Sequence, residues 1–240
     1  MVFRGNGVYR NVKLITYSLW GDNPVYTIGA IKNAKQAMEM LPEWTCRFYI
    51  ADTVDSAIVR SLELFPNVQT EMRTEEPGSL GMFWRFEPAE DTSVSHMISR
   101  DTDCRFCARE VAAINEWVES GEQFHIMRDH PYHGVPMLGG MWGCRGGAVP
   151  NIVRMMEDFN ATDEKSQDQW FLWKHIHPLS LMNCMVHDPF FTDTDFPITE
   201  RPSDGVDFVG QCFDENDKPG GNWKHDLEVL EESLNQRRVK

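Results

Sequence analysis

"VSHMISRDTDCRFCAREVAAINEWVES", residues 94–120, carries a strand, a turn and a helix in one stretch. "VSHMIS" has the composition of a strand, and apolar residues at 107, 111, 114 and 118 share one helical face that stops at Gly121. Between the two stand Asp101 and Asp103, one residue apart, preceded by Arg100. In an extended chain their carboxylates point the same way. Two hard oxygen ligands close together suit Mg²⁺ or Mn²⁺, which take their remaining ligands from water and phosphate. A solvated turn has the same letters, so the rest of the chain has to decide.

Working outward, the same alternation recurs. "VKLITYSL" (12–19) reads as a first strand ending at "WGDNP", and apolar residues at 28, 31, 34, 38 and 41 predict a helix ended by Pro42. "TCRFYIA" (45–51) predicts a second strand ending at Asp52, followed by a helix through Ala57, Ile58 and Leu62 and a strand near 67–73. A short helix is expected over 78–86. Beyond Gly121 come a strand at "FHIMR" (124–128), the glycine-dense stretch 134–147, helices over 150–159 and 166–176, and a strand near 183–188. Past about residue 190 the chain is rich in Asp, Gly and Pro and is expected to wrap the domain as loops, with a terminal helix from 225.

Strand–helix alternation predicts an α/β fold with a mostly parallel central sheet covered by helices on both faces. Ligands in such sheets sit at the carboxyl ends of strands, where Tyr17 to Trp20, Asp52, Asp101 to Asp103 and Arg128 to His130 fall. Neither an internal repeat nor a linker is visible, so residues 1–240 are expected to form a single domain. Its nucleotide-binding half would span about 12–105, its sugar and acceptor half about 106–190, and its loop-rich region 191–240.

The bulk numbers narrow the function. A net charge of −14 and a pI near 4.9 argue against a nucleic-acid partner, because phosphate backbones are held by clustered Lys and Arg. A small phosphate ligand stays open, since one metal and one or two arginines neutralise a diphosphate locally. No apolar run is long enough to span a membrane, and the first twenty residues lack the apolar core of a signal peptide. Six cysteines without a secretory signal read as thiols, and the expected compartment is the cytoplasm.

The order of these pieces resembles a metal-dependent glycosyltransferase of the nucleotide-sugar-binding α/β fold (the GT-A fold). It is nearest in plan to the retaining glycogenin-like enzymes and of a bacterial or large-virus type. "TYSLWGDNPVY" is similar to the strand and turn that hold the nucleotide there. Arg85 stands sixteen residues before Asp101, like the helix cation that precedes the D-x-D of such enzymes. "MLGGMWG" (137–143) resembles their small-residue loop, "SQDQWF" their Asp-Gln pair, and His187 their late metal ligand.

The resemblance implies a UDP-sugar donor, a Mn²⁺ or Mg²⁺ ion on Asp101, Asp103 and His187, and a carbohydrate or other hydroxyl acceptor. Tyr17 would stack on the base, and main-chain groups of Tyr17, Ser18 and Leu19 would read its edge. Arg85 and Arg100 would face the leaving diphosphate, Gly139 and Gly140 would let the backbone approach the ligand, and Asp168 and Gln169 would face the sugar. An inverting enzyme needs a general base, for which Asp129, Asp188 or His130 is available. Retention is the preferred stereochemistry.

Two alternatives compete. A nucleotidyltransferase of related fold begins with a glycine-rich loop, of which "RGNGVYR" (4–10) is a poor version placed before the first strand. A zinc-stabilised binding module would use Cys104 and Cys107, or the histidines of "FHIMRDHPYH" (124–133). Structural zinc needs four ligands and no second C-x-x-C exists, so core thiols are the expectation.

Overall fold

Alternating side chains of strand β1 (Val12–Leu19) bury themselves on opposite faces of a sheet. Leu14 enters one hydrophobic core, while Ile15, Tyr17 and Leu19 enter the other. The computed structural model describes residues 12–74, 80–159, 161–162, 166–201 and 205–238. The glycine-rich stretch 4–10 lies outside the described residues.

Six further strands complete the sheet: β2 (Trp44–Ala51), β3 (Val68–Arg73), β4 (Val94–Ser99), β5 (Phe124–Met127), β6 (Trp142–Cys144) and β7 (Cys184–His187). Their order is β3-β2-β1-β4-β6-β5-β7. Only β6 runs against its neighbours. The expected α/β class with a mostly parallel sheet is therefore what the chain adopts.

One face is covered by α1 (Pro24–Met40), α2 (Ser56–Glu63) and α3 (Ala108–Ser120), which contribute Ala30, Leu62, Ile114 and Trp117 to the core around Tyr17 and Phe48. The other face carries a 3-10 helix (Gly81–Glu90), α4 (Ile152–Asp158) and α5 (Gln167–Phe171), which pack Phe83, Phe86, Ile152 and Phe171 around Leu14 and Trp142. A π-helical turn (Leu172–Ile176) joins α5 to α6 (His177–Ser180), and α7 (Trp223–Arg238) is the expected terminal helix.

Local chemistry explains where the elements start and stop. Asn23 caps α1 by accepting from the Val25 amide at 3.0 Å, and Pro24 occupies its first turn. Gly121 ends α3 in the left-handed region at φ 79°. The buried residues of α1 are Thr27, Gly29, Ala30, Asn33, Ala34 and Ala37. Ile31 packs partly buried against the core and Leu41 is buried, so of the expected positions 28, 31, 34, 38 and 41 the structure corrects Met38, which is exposed. Small residues allow close approach to the sheet, so burial here follows size and not hydropathy. The glycine-dense stretch hides a strand, β6, that was not expected.

Candidate active site

β1 and β4 pair in parallel, with Thr16 opposite Ser99, and their carboxyl ends open onto one cavity of ≈ 450 Å³. Ser18, Leu19, Trp20, Tyr26, Arg85, Asp101, Asp103 and Asp168 are among its lining residues. Of the residues singled out in the sequence, the fold thus gathers Ser18, Leu19, Arg85, Asp101, Asp103 and Asp168.

Arg85 sits at the centre. Its Nη1 donates to an Asp101 carboxylate oxygen and to the Arg100 carbonyl at 3.0 Å, and its Nη2 donates to Asp168 Oδ2 at 3.0 Å. Ser18 Oγ accepts from the Arg85 amide at 3.2 Å, which ties the 3-10 helix to the end of β1. Burial disfavours the guanidinium cation, but Asp101 and Asp168 outweigh it and raise its pKa. Arg85 is therefore a fixed buried cation.

Burial raises the Asp168 carboxyl pKa against the opposing pull of Arg85. Asp103 is raised by burial and by the neighbouring Asp101 charge.

Gly139 and Gly140 lie against these carboxylates. A Cβ on Gly139 would stand 2.1 Å from Asp168 Oδ2, and one on Gly140 would stand 2.0 Å from Asp101 Oδ2. Ser99 Oγ donates to the Gly139 carbonyl at 2.7 Å, and Arg100 Nη1 donates to that of Gly140 at 3.2 Å. The close approach inferred from the sequence exists, but it is to the acidic side chains of the site.

Other expected residues are placed elsewhere. Tyr17 is fully buried in the core with Ile15 and Leu19, and it stacks on Phe48 with ring centroids 4.7 Å apart. The aromatics that line the cavity are Trp20 and Tyr26, just beyond the strand. Arg100 is buried and paired with Glu110 at 2.5 Å.

His187 lies on β7 at the sheet edge, with Nδ1 2.8 Å from His125 Nε2 and Nε2 3.0 Å from a Glu116 carboxylate oxygen. Both ring nitrogens are engaged, and the fold does not bring His187 to Asp101 and Asp103. Asp129 is buried and clamped by Arg109 and Arg201, and it accepts from the Val209 amide at 3.0 Å. Gln169 donates its amide to Asp168 Oδ1, but it lines a separate cavity with Trp170 and Trp173. Asp52 is exposed and lies away from these groups.

The C-x-x-C pair also separates. Cys107 is buried at the start of α3, while Cys104 faces Cys212 through an antiparallel backbone bridge. Cys212 lines the cavity and was not anticipated, because it comes from the loop-rich region. No helix among the described residues is long and apolar enough to cross a membrane.

No protein-family profile matches the sequence, and no curated protein does. Solved structures do. A glycosyltransferase involved in the glycosylation of the major capsid of PBCV-1 is 13% identical, with TM-score 0.49, over 75% of this chain and 82% of its own. The 4-diphosphocytidyl-2C-methyl-D-erythritol synthase of Anaerococcus prevotii is 13% identical, with TM-score 0.47, over 80% and 94%. The galactosyltransferase LgtC is 13% identical, with TM-score 0.44, over 75% and 74%. Likeness at this level is one of architecture alone, and the chemistry rests with the residues of the cavity.

Proposed function

We propose that the protein is a glycosyltransferase that moves a sugar from a nucleoside diphosphate donor, with UDP as the nucleotide, to a hydroxyl acceptor. The observation that carries this is Arg85, a buried cation bridging Asp101 and Asp168 in one cavity at the carboxyl ends of β1 and β4. Transfer from such a donor develops negative charge on the departing diphosphate and positive charge on the anomeric carbon. A preorganised guanidinium answers the first and the Asp168 carboxylate the second. Trp20 and Tyr26 are the aromatic surfaces within reach of a base.

Asp101 and Asp103 would hold the divalent cation, Mn²⁺ or Mg²⁺. Both line the cavity, and the Asp103 carboxyl is raised first by burial and then by the neighbouring Asp101 charge, both of which a cation relieves. When bound, that ion supplies Lewis-acid stabilisation of the leaving diphosphate. His187 is not part of this set.

Retention is favoured because the three candidate bases are engaged. Asp129 carries two arginines, and Asp188 pairs with Arg128 at 2.5 Å and accepts from the Phe190 and Phe191 amides. His130 is held by the Asp226 carbonyl and the Tyr132 amide. Asp168 is then the carboxylate facing the sugar.

A thermal-unfolding panel of UDP, GDP, CDP and ADP with Mn²⁺ tests the donor pocket. Ligand at about 100 times its dissociation constant adds about 2.7 kcal/mol, or roughly 5–10 °C for a chain of this size. UDP is expected to shift the wild type and to leave Asp101→Asn unmoved. An unmoved wild type with all four nucleotides would overturn the proposal.

A further inference from the structure

The wall of the cavity contributed by the loop after β4 has a donor set that a hard cation does not require. Asp103, Cys104 and Cys212 place a carboxylate oxygen and two sulfurs within 4.8 Å of one another. Cys104 Sγ lies 3.9 Å from Asp103 Oδ1, and Cys212 Sγ lies within 4.8 Å of a carboxylate oxygen of Asp103 and of Cys104 Sγ. The three groups form a closed triangle.

Its frame is fixed by the backbone. The Phe213 amide donates to the Asp103 carbonyl at 2.8 Å, Cys104 and Cys212 form an antiparallel bridge, and the Gly220 amide donates to the Cys212 carbonyl at 2.9 Å. Cys104 and Cys212 are 108 residues apart in the chain, so their meeting is a product of the tertiary fold.

We propose that Asp103, Cys104 and Cys212 form a three-ligand site for a thiophilic divalent cation of the zinc class, with its open position toward the cavity. Zinc–sulfur bonds of about 2.3 Å and zinc–oxygen bonds of about 2.0–2.2 Å put tetrahedral ligand atoms about 3.6–3.8 Å apart. The triangle reaches that by a small contraction, which the exposed Cys212 side chain can supply. Two thiolates select against Mg²⁺ and Ca²⁺, which prefer oxygen. Each thiol releases its proton to solvent as the cation binds. Three protein ligands leave a fourth position for water or a ligand oxygen, the arrangement of an open rather than a closed zinc site. Asp103 also belongs to the cavity proposed for the donor, and its two carboxylate oxygens divide the work. Oδ1 faces Cys104 and serves this site, while the second oxygen is left for the Asp101 cation, so cation binding here does not depend on the donor reading.

Cobalt titration of the chelator-treated, fully reduced protein tests this. One equivalent of Co²⁺ is expected to produce a thiolate-to-cobalt charge-transfer band and intense visible bands of tetrahedral cobalt, both bleached by one equivalent of Zn²⁺. Cys212→Ser, at an exposed position, is expected to lose at least half of the charge-transfer intensity, and Cys104→Ser likewise. Cys184→Ser, on β7, is expected to retain all of it. Absence of the band in wild type with all six thiols titratable would overturn the proposal. So would a band that survives in both Cys104→Ser and Cys212→Ser. The UDP-dependent thermal shift, read on the wild type, reports separately on the donor pocket, so failure of one reading is distinguishable from failure of the other.

Discussion

Arg85 has only a few hydrogen bonds, yet they join three parts of the chain that are far apart in sequence: residues 85, 101 and 168. Asp101 was legible because it stands at a strand end before an amphipathic helix, and Arg85 came from a family resemblance, sixteen residues before it. Asp168 came from a family resemblance, since an acid in the first turn of a helix is explained equally well by the helix dipole. Tyr17 went to the core because it stands two residues short of the strand's end, where Phe48 covers it, whereas Leu19 and Trp20 reach the cavity. The histidine role failed because two side chains on other elements, the buried His125 and the exposed Glu116, capture His187. At this scale Gly140→Ala is diagnostic. The added methyl collides with the Asp101 carboxylate and nearby backbone, so urea denaturation is expected to register a loss of about 1–3 kcal/mol, and the UDP shift is expected to disappear. Unchanged stability together with an unchanged shift would mean that Asp101 is free to move and the loop is not its support.

At the level of elements, strands and helices were readable wherever periodicity was long. β1, β2, α3 and the terminal helix fall where expected. β6 is three residues long and glycine-flanked, so it carries too little pattern to be seen, and its antiparallel direction follows from pairing with β4 and β5. The stripe of α1 shifted in part: Ala34 and Leu41 are buried as expected and Ile31 packs on the core, but Ala30 and Ala37 are buried where Met38 is exposed. That assignment has a measurable consequence. Ala34→Leu is expected to overpack the interface and cost about 1–3 kcal/mol, while Met38→Ala, at an exposed position, is expected to stay within about 0.5 kcal/mol of wild type in the same denaturation series. A loss at Met38→Ala as large as that at Ala34→Leu would put Met38 back in the buried stripe.

For the whole molecule, the α/β class followed from alternation alone, whereas the packing of the region after 190 did not. Phe196, Val206, Val209 and Phe213 form a third small core with Met127 and Met141, and it is this packing that carries Cys212 to the cavity. Buried neutral histidines give the fold a pH dependence. Burial pushes His96 down to about 4 and His133 to about 3. Below the ordinary histidine value of about 6.5 the unfolded chain takes up protons that the folded chain refuses, so these residues weaken the fold as pH falls. His96→Phe removes one such group beside Trp117. Between pH 7 and pH 5 the variant is expected to gain roughly 1–2 kcal/mol relative to wild type in urea unfolding. A constant difference across that range would mean that His96 is protonated in the fold.

The central claim is that this cavity cleaves the bond between a sugar and a nucleoside diphosphate. It is tested most directly by measuring UDP release from a panel of UDP-sugars, with Mn²⁺ or Mg²⁺ present, by wild type and Asp168→Asn. The account predicts that wild type liberates UDP from at least one donor and that Asp168→Asn, which keeps the shape but loses the charge, is slowed by at least about a hundredfold, or about 2.7 kcal/mol in the barrier. Release of pyrophosphate from a nucleoside triphosphate, with every UDP-sugar left intact, would contradict it.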